Sequence, residues 1–186
     1  MRALISKEEA ERKGKRNQKI LVAFLGFIMI ASTLGYALQS NDQSTSGETE
    51  ISYNGYDFVN RNGLWIWGSY VFRNLPQEVP DVGTGLNKEE SYQGKPAYIY
   101  SENIEAETEI LVNLGQIALR VQKACPQGTS CPAEIPRKTC SDNFIIIKEG
   151  NNNSIIQDGN CVYIQGAKEQ LPALADQFLF KILSIK

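Results

Sequence analysis

Residues 161–183 read CVYIQGAKEQLPALADQFLFKIL, and this stretch carries two different periods. Cys161, Val162, Tyr163 and Ile164 make a short run of strand length, rich in β-branched and aromatic side chains. Leu171, Leu174, Ala175, Phe178, Leu179, Ile182 and Leu183 then recur at i, i+3, i+4 and i+7, the spacing of a helix with one apolar face. Pro172 falls in the first turn, where its missing N–H costs nothing. A strand leading into an amphipathic helix predicts a helix laid on a sheet. The alternative, a helix lying in a membrane plane, needs a Lys/Arg-rich polar face, which this segment lacks.

Upstream, Phe144-Ile-Ile-Ile147 and Ser154-Ile-Ile156 read as two more strands, separated by the turns Gly150–Asn153 and Asp158–Asn160. Ile110, Leu114, Ile117 and Val121 keep a helical period, widened by Leu111 and Ala118, and predict a helix over 104–123. Glu102, Glu105, Glu107 and Glu109 would complement its N-terminus as a solvated turn, and Arg120 and Lys123 its C-terminus. Ala97–Tyr100 is a short strand, and 74–95 reads as a loop, with Pro76, Pro80, Gly83, Gly85 and Gly94. Further back, Tyr56, Phe58, Trp65 and Trp67 flank Asn62-Gly63, a dipeptide suited to a tight primed turn. The strand is expected to run on through Tyr70-Val-Phe72, with its aromatics on one buried face.

Residues 20–38, ILVAFLGFIMIASTLGYAL, carry no charge. At roughly 1.5 Å per residue they span about 28 Å, close to the thickness of a bilayer core. Residues 1–19 hold seven Lys/Arg against three acids, whereas QSNDQSTSGETE after the run holds no Lys or Arg. The positive-inside rule therefore leaves 1–19 in the cytoplasm as a basic tail facing membrane lipid. The competing reading is a cleaved signal peptide, with a small-x-small site at Gly35-Tyr36-Ala37. A lipoprotein anchor lacks its cysteine. A pilin-like leader cut after Gly14 would meet Lys19 where an acid is expected. The expected organisation is thus a tail (1–19), a single-pass signal-anchor helix (20–38), a flexible linker (39–50) and an extracytoplasmic domain (51–186) at the cell membrane.

Outside the tail, 12 basic and 18 acidic side chains remain. A net acidic ectodomain would repel phosphate backbones, which argues against nucleic acid as a partner. The chain has no histidine, which removes Ser-His-Asp and Cys-His catalysis and His-ligated metals. Carboxylate and Ser-Lys chemistry remain open, although no spacing marks a catalytic residue or a cofactor site. Cys125, Cys131, Cys140 and Cys161 all follow the apolar run, and an even count in an oxidising compartment favours two disulfides. Of three connectivities, Cys125–Cys131 closing the PQGTS loop and Cys140–Cys161 joining two strands is preferred. A site with zinc on all four thiolates is the alternative, without the paired C-x2-C knuckles such sites use. Asn152-Asn153-Ser154 fits the N-glycosylation pattern in an exposed turn.

The basic-plus-apolar start, YNGYDFVNRNGLWIW and the ending NCVYIQGAKEQLPALADQFLFKIL resemble the small single-span surface proteins of archaea that carry a Cys-containing ectodomain. That resemblance implies no activity, and no functional residue is carried over from it. The fold expected is α+β: a transmembrane helix, then an antiparallel sheet packed by two helices and stapled by disulfides. The function expected is a non-enzymatic envelope domain that binds or assembles with a protein partner. The alternative is an envelope hydrolase acting on peptide or glycan through carboxylates or a Ser-Lys pair. A shifted carboxylate or lysine in a deep pocket would favour the hydrolase, and a flat apolar patch the binder.

Overall fold

The computed structural model describes residues 49–186, together with Leu25, Gly26, Ile28 and Met29, which are helical. Apart from those four, the tail and membrane-helix segments lie outside the described residues, as does the linker up to Gly47 and Glu48. Among the described residues no helix is long and apolar enough to cross a membrane. The last linker position, Glu50, already belongs to the first strand, and the Thr49 carbonyl accepts the Asn60 N–H at 2.8 Å.

Four strands, β1 (Glu50–Tyr53), β2 (Tyr56–Arg61), β3 (Leu64–Trp67) and β4 (Tyr70–Phe72), form an antiparallel meander in chain order. Each connection is two residues long. Asn54-Gly55 and Asn62-Gly63 hold φ of 49° and 84°, and of 54° and 80°, which is the backbone that matches strand twist in a tight hairpin. Gly68 supplies the third turn with φ 58°. Only the Asn62-Gly63 hairpin was legible as such; Tyr70–Phe72 is a separate strand rather than a continuation of β3. The buried aromatics of this sheet are Phe58 and Phe72, while both tryptophans stay half-buried.

The second sheet comprises β5 (Pro96–Ser101), β6 (Arg120–Lys123), β9 (Asn143–Glu149), β10 (Ser154–Asp158) and β11 (Cys161–Gly166), in the order β10-β11-β9-β5-β6. A two-stranded ribbon of β7 (Cys125–Pro126) and β8 (Arg137–Lys138) lies between β6 and β9 in sequence. Helix α1 (Ile104–Leu114) links β5 to β6, and α2 (Leu171–Ile182) follows β11. The antiparallel sheet, the two helices and the disulfides expected from the sequence are all present. The helices, however, pack mainly on this second, mixed sheet, where only β10–β11 is antiparallel. The reason is connectivity: α1 returns the chain so that β6 runs alongside β5 in the same direction. The unbroken Phe144–Ile147 run is what a strand buried on both faces looks like.

The helix expected over 104–123 ends at Leu114. Gly115 costs about 1 kcal/mol relative to alanine in a helix, and the chain turns there. Val121 then pairs with Ala97 and points inward, while Arg120 and Gln122 are exposed, so the same residues satisfy a strand period. Asn103 caps the start of α1, its side-chain oxygen accepting the N–H groups of Glu105 and Ala106 at 3.0 and 2.9 Å. The expectation of a solvated acidic turn fails for Glu107 and Glu109, which are both 6% exposed. Lys123 pairs with Glu107 and Arg73 with Glu109.

One core joins all three layers. Ala97, Ile99, Ile145, Ile147, Val162 and Ile164 of the mixed sheet face α1 and α2. From the other side of α2, Phe180 meets Phe72 at 4.5 Å and Phe58 at 6.2 Å between ring centroids. Because α2 is covered by both sheets, it is buried nearly all round. At Gly166 a Cβ would lie 2.5 Å from Leu174 Cδ1 and 2.7 Å from Asn153 Oδ1, so any larger residue would have to displace both side chains.

Candidate functional site

The mixed sheet has two faces, and the helices cover one. The other carries Tyr98 and Tyr100 from β5, Phe144 and Ile146 from β9, and Cys161 and Tyr163 from β11, a second apolar cluster apart from the main core. Strand register sorts these side chains into rows. One row is Tyr98, Phe144 and Cys161, and it lies beneath the ribbon and loop of residues 125–140. The next is Tyr100, Ile146, Tyr163 and Ile156. In it Tyr100 and Tyr163 are half-buried, and Ile156, on the edge strand, is 55% exposed.

Two disulfides build the cover. Cys125–Cys131 closes the loop after β7, with Cα atoms 6.5 Å apart, and Cys125 registers with Arg137 across the ribbon. Cys140–Cys161, with Cα atoms 4.8 Å apart, ties the lead-in of β9 to the first residue of β11. All four cysteines are thereby oxidised, which leaves no thiolate for zinc. Among the described residues no group of three or more Cys, Asp or Glu is arranged to hold a metal. Two bridges of this kind belong to an oxidising, extracellular setting.

Between the cover and the open row lies a pocket of about 240 Å3. Its walls include Lys138, Thr139, the Cys140–Cys161 bridge, Phe144, Ile146 and Tyr163. The Tyr163 hydroxyl sits 3.6 Å from Cys140 Sγ. Lys138 holds its ammonium 3.9 Å from the centre of the Tyr98 ring and donates to Asp142 at 3.2 Å. Hydrogen bonding to Lys138, and then to Arg120, holds the Tyr98 hydroxyl below the usual phenol range. Lys148 lies over the Tyr100 ring at 5.7 Å. The pocket is smaller than the roughly 300–1,000 Å3 of small-molecule sites, and suits one inserted side chain.

Two other arrangements bear on catalysis. A polar cleft of about 330 Å3 gathers Ser91, Lys95, Ser141, Asp142, Asn143 and Asn160. There the Lys95 ammonium donates to the Ser91 backbone carbonyl at 3.2 Å, and Asn143 donates to the same oxygen at 3.0 Å. Asp176 is the most perturbed acid: burial, and then the charge of Glu109, push it well above the ordinary carboxylate range. It has no exposed surface, so no substrate reaches it.

Asn152 lies exposed in the turn between β9 and β10, where a glycan would have room. Sequence reasoning missed Asp176, Arg73, Asn74 and Asn113. The one available signal was Asp176 itself, an acid inside the apolar run LPALADQFLF. No protein-family model, curated protein or solved structure matches the chain. Its functional reading therefore stands on its own residues.

Proposed function

We propose that residues 51–186 form a non-enzymatic binding domain, held by the 20–38 segment at the outer side of a cell membrane, that docks a protein partner on the open face of its mixed sheet. The observation that carries this reading is the half-covered sheet. Parallel strands are ordinarily buried on both faces, and here the Tyr100, Ile146, Tyr163 and Ile156 row buries only Ile146, leaving Tyr100 and Tyr163 half-buried and Ile156 55% exposed. Tyrosine beside an apolar pocket is the composition of interface anchors, because it buries a large ring and keeps a polar tip. A short tether to the membrane raises the effective concentration of such a face toward other envelope proteins.

The test is site-specific photo-crosslinking in native membranes. A crosslinker at Ile156 should capture a discrete partner, and one at Leu119, exposed beside β6 at the other edge of the mixed sheet, should not. Capture from Leu119 alone would move the interface to the β6 edge and defeat the reading. Hydrolysis of envelope peptide or glycan, abolished by Lys95→Ala, would install the hydrolase in its place.

A further inference from the structure

We propose that Glu109 and Asp176 share one proton inside the fold, and that this proton fastens the β1–β4 meander to the two helices, so that the docking loosens as pH rises.

The geometry begins with Asp176 on α2, fully buried. Its Oδ2 accepts the Asn74 backbone N–H and the Asn74 side-chain amide, both at 2.9 Å. Its Oδ1 has no hydrogen-bond partner, an expensive state for a buried charged oxygen. Glu109, on α1 and also buried, is held by Arg73, and Asp176 by the next residue, Asn74, so the two carboxyls are gathered beside each other at one point of the chain. Two ionised carboxylates in contact repel strongly in a low-dielectric interior. A proton on either one turns an acceptor into a donor and supplies the missing bond.

The surrounding charges do not remove the need for that proton. Arg73, which follows β4, donates to Glu109 and also lies 3.7 Å from the exposed Glu105. On α1, Glu107 is turned toward Lys123, and on α2 Lys181 is turned toward Asp81. Among the described residues, Asp176 and Glu109, with Glu105 nearby, thus face one guanidinium, that of Arg73. It balances one carboxylate and leaves the other to keep its proton. Burial raises Glu109 as well, despite the opposing pull of Arg73.

The position of the pair makes the proton mechanical. Arg73 and Asn74 lie immediately after β4. One helical turn along α1 from Glu109, Asn113 accepts the Val71 N–H at 2.8 Å and donates to the Val71 carbonyl at 2.7 Å. These contacts attach the edge of the meander to the helix pair. A folded-state pKa above the unfolded value means that folding takes up a proton. The stabilisation is complete below the ordinary carboxylate range and is lost as pH climbs through the raised value. Within that window one proton changes the folding equilibrium by about tenfold per pH unit.

The test follows unfolding of the full chain, and amide exchange at Val71 and Asn74 corrected for intrinsic rates, across pH. Asp176→Asn keeps the shape and places a permanent donor beside Glu109. The wild type should lose up to about tenfold in folding constant per pH unit above the acid range, and protection at Val71 and Asn74 should fall with it. Asp176→Asn should abolish both trends. An unchanged slope in the variant overturns the proposal. Infrared spectroscopy of wild type, labelled in separate samples with 13C-aspartate and 13C-glutamate, decides the matter even if the variant fails to fold. A protonated carboxyl band that outlasts ionisation of the other carboxyls as pH rises supports the shared proton, and its disappearance together with theirs refutes it.

Discussion

Replacing Cys140 by alanine cuts the bridge to Cys161 at its partly exposed end and leaves the buried Cys161 thiol in place as a small apolar group. The cross-link acts chiefly on the unfolded chain, so its worth follows from the loop it closes. A sequence separation of 21 corresponds to about 3 kcal/mol in the chain-entropy model. The Cys125–Cys131 bridge has a separation of 6, which gives about 2 kcal/mol. The folded unit, Glu48–Lys186, has about 140 residues, so its unfolding entropy is about 0.3 kcal/mol per degree. Cys140→Ala should then lower the melting temperature by about 11 °C, and Cys131→Ala by about 7 °C. The ranking is reinforced by location. Cys140–Cys161 walls the pocket and anchors β11 beside β9, whereas Cys125–Cys131 closes only the short loop that leaves β7. The assay is thermal unfolding of the full chain by circular dichroism, with both variants in one buffer without reductant. Equal shifts, or a larger loss from Cys131→Ala, would refute the reasoning that loop length and placement set the two contributions.

Asn113→Ala should destabilise by about 2–4 kcal/mol, because it orphans both backbone groups of Val71; a shift in the urea midpoint at constant slope would show it. Gly166→Ala should cost about 1–3 kcal/mol through overpacking against Leu174, while Gly150→Ala, whose Cβ would have its nearest neighbour at 3.5 Å, should cost far less; chemical unfolding of the two compares them directly. Phe180→Ala should cost about 3–5 kcal/mol and uncouple the meander from α2, seen as faster amide exchange in β2 and β4 than in β9. Lys138→Met removes the first cause of the lowered Tyr98 pKa, so the tyrosinate absorbance of that residue should appear at higher pH than in wild type.

The proposed docking face and the buried carboxyl pair show two different treatments of polar side chains. On the open face, Lys138 and Lys148 lie against tyrosine rings, and solvent reaches them. At the helix–meander junction, Asn113 and Asp176 are wholly enclosed and hold backbone groups of Val71 and Asn74 that no strand partner satisfies. Replacing either enclosed side chain therefore removes a connection between layers, whereas a substitution at Lys148 changes only the surface a partner would meet.

Local chemistry made much of this legible from the sequence. Asn62-Gly63 specified its own hairpin, because the dipeptide tolerates positive φ wherever it occurs. The apolar spacing from Leu171 to Leu183 specified α2, and an even set of cysteines beyond an apolar run was consistent with disulfides. Tertiary contacts decided the rest. Val121 fits a helical period and a strand period alike, and the choice fell to β5, whose open edge offered backbone partners more than 20 residues away. Parallel pairing of β5, β6, β9 and β11 depended on where α1 and the ribbon return the chain, which no local pattern encodes. The burial of Glu107, Glu109 and Asp176 required knowing that Lys123, Arg73 and Asn74 would arrive beside them. The open sheet face was hidden for the same reason. Alternation shows that a strand has two sides, and only the assembled layers show which of them is left uncovered.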